Sequence, residues 1–413
     1  WVWLLSSSMN YNIWNKWDKL QTVMLGECYS PEFFRDIKST KVRSALQRIS
    51  EQTQEDLEGF NQVLKDFGCT VIRPDIDDND SLMNHIDSEG KVKFIPRSPL
   101  QPRDCQLVIG NDLLYTNVDH PGIKTALTRY NSNYTQIISP LTAISYNGHK
   151  GDDAPDWPTY EDYVQRFIAH KPFSDNEHVH NEILDIVENE MPFGFAINAP
   201  SITVVGTDIY VDLHKSETEH LFDYYLRKFK EIFWDCRINY LTIGGHNDGC
   251  FHTIKPGAIL SLHEIQRYEN TFPEWDVCFL PDQSWSQVDK FMQLKEQTGG
   301  KWWVPGEEDN DEFTHFVETW LQDWVGYVEE TVFDVNVLML DEHHCCVSNP
   351  NNEQVNAFLK KHKVEPVYVP WRHRYFWDGG LHCITLDLYR EGGPVDYFPN
   401  RQKPVTDKGF VNA

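Results

Sequence analysis

The part of the sequence best suited to chemistry lies near its end, where residues 377–387 read WDGGLHCITLD. Cys383 follows a Gly-Gly pair and precedes an apolar run that is typical of a strand. Glycines let backbone and substrate approach closely, and a strand that follows holds the thiol rigidly. The pattern therefore favours Cys383 as a nucleophile.

Two other segments supply partners for this thiol. Residues 244–251 carry His246 and Asp248 two positions apart, and Arg103 and Asp104 stand directly before an apolar run. A cysteine, a histidine and two acids, each beside glycine or a strand end, favour covalent catalysis on a cationic substrate.

The overall charge agrees with a cationic ligand. The 413 residues include 37 Lys and Arg against 63 Asp and Glu, a formal net charge of −26. Such a chain is a poor candidate for nucleic acid or an anionic membrane, and a better one for cationic small molecules. A solvated acidic surface that keeps the protein soluble explains the same charge. The apolar fraction of 40% argues against disorder.

Nine cysteines without framework spacing favour reduced thiols, and hence a cytoplasmic location. No stretch of the sequence reaches the length of a membrane span. Residues 1–8 are expected to be an extension or a cloning remnant, and residues 9–413 a single domain.

The chain repeats one plan, in which an amphipathic helix runs into a short strand. The copies cover residues 41–66 and 69–72, residues 217–234 and 238–243, and residues 353–362 and 367–369. In the first copy Leu46, Ile49, Leu57, Phe60 and Leu64 have helical spacing, and Gly68 is placed to end the helix. Further strands are predicted at 22–25, 106–109, 202–205, 258–260 and 336–340. Several of them are followed by Gly-Asn (110–111), Gly-Thr (206–207) or Asp-Glu, which suits β-hairpins. This alternation predicts an α/β protein with internal repeats.

Two regions are predicted to be insertions. Residues 146–180 are polar and aromatic, and residues 281–331 combine five tryptophans with many acids. The second region is either a lid over a cationic ligand or an amphipathic helix that packs its rings inward.

From about Tyr11 to Glu391 the chain resembles the glycine amidinotransferase family. The matching segments are 15–26 (NKWDKLQTVMLG), 102–111 (PRD, a strand and GN), 246–261 (HND through KPGAILS), 336–342 (NVLMLDE) and 379–383 (GGLHC). The resemblance implies the pentein fold, a five-bladed pseudosymmetric α/β propeller of repeated ββαβ modules.

The resemblance also implies a substrate, L-arginine, and roles for the site residues. Asp104 and Asp248 match the family positions that bind the guanidinium, and Arg103 is placed in the substrate site beside them. Cys383 would attack the guanidinium carbon to give an amidino-cysteine and release ornithine. His246 would protonate the departing amine and then deprotonate the incoming one. No cofactor or metal is implied.

One family position is not matched. A family segment reading Asp-Ala-Ala-Asp aligns with residues 198–201, which read Asn-Ala-Pro-Ser. The resemblance implies that the family carboxylate there orients the histidine, and Asn198 in its place is assigned to the substrate site. Asn198 can hold an imidazole but cannot balance its positive charge. A slower enzyme, a shifted substrate or a binding protein would follow. Asp208, ten residues later, is expected to be too far along the strand to compensate.

Three functions remain open. The first is transfer of the amidino group from arginine to an acceptor amine, with glycine as the default acceptor and a homodimer as a candidate assembly. The second is a guanidino-group hydrolase on the same fold, and the third is a non-catalytic binder of guanidino compounds. The run 343–346 (HHCC) suggests a metal site, although adjacent residues of a strand point to opposite faces.

Overall fold

The computed structural model describes residues 11–86, 95–115, 120–131, 199–212, 233–241, 243, 246–262, 267–280, 302–322, 324–325, 334–377, 379–403 and 405. The segment 1–8, the insertion at 146–180, Asn198 and most of the helix predicted at 217–234 lie outside these residues.

The described residues form fourteen strands and eight α-helices, interspersed with short 3-10 turns. The strands are β1 (Leu20–Leu25), β2 (Thr70–Ile72), β3 (Gln106–Ile109), β4 (Asp112–Tyr115), β5 (Ile202–Val205), β6 (Asp208–Asp212), β7 (Arg237–Leu241), β8 (Phe251–Lys255), β9 (Ala258–Ser261), β10 (Asp276–Phe279), β11 (Leu338–Asp341), β12 (His344–Val347), β13 (Glu365–Tyr368) and β14 (Thr385–Arg390). The helices are Thr40–Asp66, Pro102–Cys105, Pro121–Tyr130, Asn247–Cys250, Tyr268–Thr271, Asp311–Trp320, Glu353–Lys361 and Arg374–Trp377.

Among the described residues the strands form five small sheets, in the orders β14-β1-β2, β3-β4, β5-β6-β7, β10-β9-β8 and β11-β12-β13. Each three-stranded sheet has an antiparallel pair and a third strand that runs parallel to the central one. The α/β fold class and its repeated ββαβ plan are therefore confirmed.

In two of these sheets a described helix makes the crossover to the parallel strand. Thr40–Asp66 joins β1 to β2 and starts at Ser39, whose hydroxyl accepts a hydrogen bond from Val42 N. Its predicted apolar face is buried, and Gly68 ends it with a φ of 85°. Glu353–Lys361 joins β12 to β13 in the same way, starting from the side-chain cap of Asn352.

Three antiparallel pairs turn through glycine. Gly110, Gly206 and Gly257 have φ values of 56°, 62° and 84°, in the left-handed region that favours glycine. The turns predicted at Gly110 and Gly206 therefore join β3 to β4 and β5 to β6. Strand β11 begins at Leu338 rather than at the predicted residue 336, because Val337 N bonds locally to the Val335 carbonyl, at 3.0 Å, instead of to a neighbouring strand.

The described part of the tryptophan-rich region packs inward. Trp302 and Trp324 are buried in one apolar cluster with Phe313 and Val317 of the helix Asp311–Trp320. For these residues the packed alternative holds rather than the lid. Trp285 lies outside the described residues.

Strand β14, which follows Cys383, pairs antiparallel with β1. The described helices include none that is long and apolar enough to cross a membrane.

Candidate active site

The predicted nucleophile lies in a rigid turn. Cys383 precedes β14, and 7% of its surface is exposed. The Thr385 hydroxyl donates to the carbonyl oxygens of Leu381 and His382, at 3.0 and 3.1 Å. Ile384 N closes the turn onto the Gly380 carbonyl at 3.2 Å. The thiol therefore has a fixed position before any ligand binds.

The two glycines before it are required by close approach. A Cβ on Gly380 would lie 2.6 Å from Cβ and Oδ1 of Asn336, and one on Gly379 would lie 3.1 Å from Cβ of Cys383. The expectation that these glycines permit close approach is met, and at Gly380 the group that approaches is Asn336.

Asp248 brings its carboxylate to the thiol. It lies in the short helix Asn247–Cys250, and Asn247 ties this helix to the Ser201 carbonyl at 2.9 Å. Asp248 Oδ2 is 3.6 Å from Cys383 Sγ and 2.8 Å from His382 Nδ1. Asp248 is 2% exposed, and its Oδ1 has no hydrogen-bond partner among the described residues. A buried carboxylate oxygen with open bonding capacity suits a cationic donor.

Asp104 and His246 complete the predicted group. Asp104 lies in the helix Pro102–Cys105 ahead of β3, and His246 directly precedes the helix of Asp248. Burial raises the pKa of Asp104, His246 acts to lower that pKa, and Asp248 raises it further. The side chain of His246 is exposed. The four residues predicted for the site thus lie in one electrostatically connected region.

The thiol is protonated in the resting site. Burial, together with the charges of Asp248 and Asp104, holds the pKa of Cys383 well above its usual value. Hydrogen bonds to the sulfur from Asn336 and from the Gly380 backbone lower this pKa but are outweighed. A cation placed against these carboxylates would offset their effect and favour the thiolate.

Arg103 contacts the protein rather than open space. Its Nε donates to the His382 carbonyl at 2.8 Å, and its Nη2 donates to Oδ1 of Asp387 at 2.8 Å. Arg390 binds the other oxygen of Asp387, also at 2.8 Å. These contacts hold His382 and Asp387, which lie on either side of Cys383 in the chain. The substrate-binding role of Arg103 stays a prediction. So does that of Asn198, which the structure does not describe.

Three residues near Asp248 were missed by the sequence reasoning. Burial keeps the pKa of His382 well below its usual value, so its neutral ring donates Nδ1–H to Asp248. Lys16 lines a cavity with Asp248 and His382, and burial lowers the pKa of Lys16 to about 8. Asn336 contacts Cys383 directly. The position of His382 beside the cysteine was the one available signal.

Within the described ranges, no group of three His, Cys, Asp or Glu side chains is arranged to hold a metal ion. In the run suggested as a metal site, Cys345 and Cys346 belong to different apolar clusters on opposite faces of β12. His344 bonds instead to Asp341, at 2.8 Å.

The chain is similar to curated amidinotransferases over almost its whole length. The glycine amidinotransferase, mitochondrial, of Gallus gallus is 23% identical over 93% of this chain and 84% of its own. The L-arginine:L-lysine amidinotransferase of Pseudomonas savastanoi pv. phaseolicola is 21% identical over 93% of this chain and 95% of its own. No family model matches.

Solved structures agree on the fold. An amidinotransferase from the saxitoxin biosynthetic pathway of Microseira wollei superposes with a TM-score of 0.57, at 17% identity, over 94% of this chain and 99% of its own. The inosamine-phosphate amidinotransferase of Streptomyces griseus gives a TM-score of 0.56 with the same identity and coverage. The fold is therefore that of the amidinotransferases. The chain is thus similar to amidinotransferases in sequence, over almost its whole length, and in fold.

Proposed function

We propose that this chain is an amidinotransferase that takes the amidino group of L-arginine onto Cys383 and passes it to an acceptor amine. Ornithine is the first product, and glycine is the default acceptor. The relatives named for transfer of amidino groups support the general activity.

One observation carries the proposal. Sγ of Cys383 lies 3.6 Å from a carboxylate oxygen of Asp248, in a buried site that also includes Asp104. A guanidinium is a planar, permanently charged cation whose N–H groups match carboxylates in pairs. Held between these acids, the central carbon of arginine would face the thiol.

Substrate binding supplies the activation that the resting thiol lacks. The carboxylates that raise the pKa of Cys383 are those proposed to bind the cation. When the guanidinium neutralises them, the thiol loses its proton more readily, and that proton passes to His246. The thiolate therefore forms where its target is already bound.

The chemistry then proceeds in two balanced halves. The thiolate forms a C–S bond to the guanidinium carbon, the C–N bond to ornithine breaks, and protonated His246 gives its proton to the leaving amine. The acceptor amine next attacks the amidino carbon and gives a proton to His246. The C–S bond breaks, and the thiolate is restored.

The departure at Asn198 removes a family carboxylate that orients the histidine. Asp104 is a carboxylate close enough to His246 to interact electrostatically. We infer that Asp104 offsets part of the missing charge, and that the cost of Asn198 appears in rate rather than as loss of function. Asp208 does not serve this purpose, because Arg237 and Arg401 bind its carboxylate.

A reducing compartment suits this mechanism. All nine cysteines are free thiols in the structure, Cys383 among them. A nucleophile that must cycle through the thiolate is lost on oxidation, so we expect the protein to act in the cytoplasm.

The test is intact-protein mass spectrometry after incubation with arginine in the absence of an acceptor. We expect an adduct of one amidino group and release of ornithine. Addition of glycine, lysine or another amine then identifies the acceptor by discharging the adduct. Cys383→Ala should show no adduct, whereas Cys236→Ser, which removes a thiol beside Asp235, should behave as the native protein.

Other outcomes favour the alternatives. Citrulline without an acceptor would identify a hydrolase in which water replaces the amine. Arginine binding with no adduct and no product would identify a binding protein. An adduct that persists in Cys383→Ala would overturn Cys383 as the nucleophile.

A further inference from the structure

Asn336 is bonded to the nucleophile turn through both ends of its side-chain amide. It is 3% exposed and lies just before β11. Its Oδ1 accepts hydrogen bonds from His382 N at 2.8 Å and Cys383 N at 3.2 Å. Its Nδ2 lies 3.0 Å from Cys383 Sγ and 3.1 Å from the Asp248 carbonyl oxygen.

These four contacts fix which way the amide faces. Two backbone N–H groups can be satisfied only by an acceptor, so the oxygen must face the turn. The NH2 group is then directed at the thiol and at a carbonyl oxygen, both of which accept. The opposite orientation would set donors against donors on one side and oppose two oxygens on the other.

The surroundings of Sγ make this donor significant. The carboxylates of Asp248 and Asp104 both oppose formation of negative charge on the sulfur, and Asn336 is a neutral group that favours it. A hydrogen bond to a charged acceptor is stronger than one to a neutral acceptor, so this contact strengthens as the thiol ionises.

We propose that Asn336 is a further catalytic residue, which donates a hydrogen bond to Sγ of Cys383, favours its thiolate form and fixes the direction of its attack. As a contribution to catalysis, this role rests on the proposed amidino transfer. The same donor serves each time the thiolate forms, both before attack on arginine and when the C–S bond breaks. The missing side chain at Gly380 leaves the space that the amide needs.

The test measures alkylation of Cys383 by iodoacetamide as a function of pH, with the modified peptide quantified by mass spectrometry. Asn336→Asp retains an oxygen for the two backbone N–H groups but removes the amide donor. Asn336→Leu removes the donor without adding charge. We expect each to slow alkylation at neutral pH by about tenfold or more, with rates at high pH within about threefold of the native protein.

Asn356→Asp is the matched control. It makes the same change at a half-buried residue of the helix Glu353–Lys361, whose amide donates to the Pro350 carbonyl, and alkylation of Cys383 should match that in the native protein. Profiles of Asn336→Asp and Asn336→Leu that coincide with the native one would overturn the proposal. Slower alkylation in Asn336→Asp together with a native rate in Asn336→Leu would also overturn it, because the added charge alone would then explain the result.

If both variants fail to fold, the native protein decides. The side-chain amide resonances of Asn336 should move through the pH range of Cys383 alkylation and stay fixed in Cys383→Ser. Resonances that do not move would overturn the role. Alkylation needs no arginine, so a failure of amidino transfer and a failure of the Asn336 role are separately visible.

Discussion

Two buried carboxylates in this molecule have opposite surroundings. Asp208 is 0% exposed, and its oxygens accept from Arg237 at 2.6 Å, Arg401 at 2.8 Å and Asn239 at 2.8 Å. Asp248 is 2% exposed, yet its Oδ1 has no partner among the described residues. A buried charge is costly unless it is paired. Asp208 is satisfied by the fold, whereas Asp248 retains bonding capacity that a bound cation could use.

The largest effect is expected when the acid of the site is neutralised. Asp248→Asn removes the charge proposed to pair with guanidinium, so adduct formation from arginine should slow about a thousandfold, equivalent to about 4 kcal/mol. The melting temperature should stay within a few degrees of the native value, because the native side chain is not fully bonded. Single-turnover mass spectrometry and a thermal melt measure the two quantities. A variant that lost stability but kept its native rate of adduct formation would show that Asp248 stabilises the fold and does not bind the cation.

The corresponding substitution at Asp208 should lower the stability of the fold rather than the rate of adduct formation. Asp208→Asn leaves Arg237 and Arg401 without their shared counter-charge and should lower the free energy of unfolding by about 3 kcal/mol. At a temperature where the variant is folded, adduct formation should proceed at nearly the native rate. Urea unfolding followed by tryptophan fluorescence provides the measurement. A selective loss of rate in a stable variant would instead make Asp208 part of the site.

A smaller effect tests the geometry beneath the thiol. Gly380→Ala would place a methyl group 2.6 Å from Asn336 Oδ1 and push the amide away from the turn. We expect adduct formation to fall about tenfold. Gly393→Ala is the control, because a Cβ there meets nothing within 4 Å. Equal rates in the two variants would show that the turn tolerates the methyl group.

The smallest effect is expected for Asp104→Asn, which should speed the alkylation of Cys383 but weaken the binding of arginine. The pKa of Cys383 is raised above its usual value, so its thiolate forms only at a higher pH than that of an ordinary cysteine. Asp104→Asn removes one of the charges that raise this pKa. It should therefore increase alkylation of free Cys383 at neutral pH by about threefold, with the profile displaced to lower pH. The same change should weaken arginine binding. An unchanged alkylation profile would contradict the electrostatic account of the thiol.

Much of the scaffold could be predicted because local signals specify it. Strands β3 and β5 have their predicted bounds, and Gly110 and Gly206 turn where the hairpin pattern placed them. The predicted site residues Cys383, His246, Asp104 and Asp248 also lie in one electrostatically connected region, and each of them precedes a strand.

The contacts that hold Cys383 and its turn in place could not be predicted in the same way. Arg103 and Asp387 are 284 residues apart in sequence, and Asn336 and Cys383 are 47 apart. An isolated asparagine before a strand is ordinarily a turn residue, so only the tertiary structure reveals its contact with the sulfur. The Gly-Gly pair predicted close approach but not the group that would approach.

The pairing of β14 with β1 has a consequence for biosynthesis. Gln21 and Glu391, which bond across this seam, are separated by 370 residues. Closing so long a loop is slow, and during synthesis it must wait until Thr385–Arg390 has left the ribosome. The strand that follows Cys383 has its partner only when this pairing forms. A partly made chain would therefore carry an unshielded, ordinary thiol, and the reactive site would be among the last features of the fold to appear.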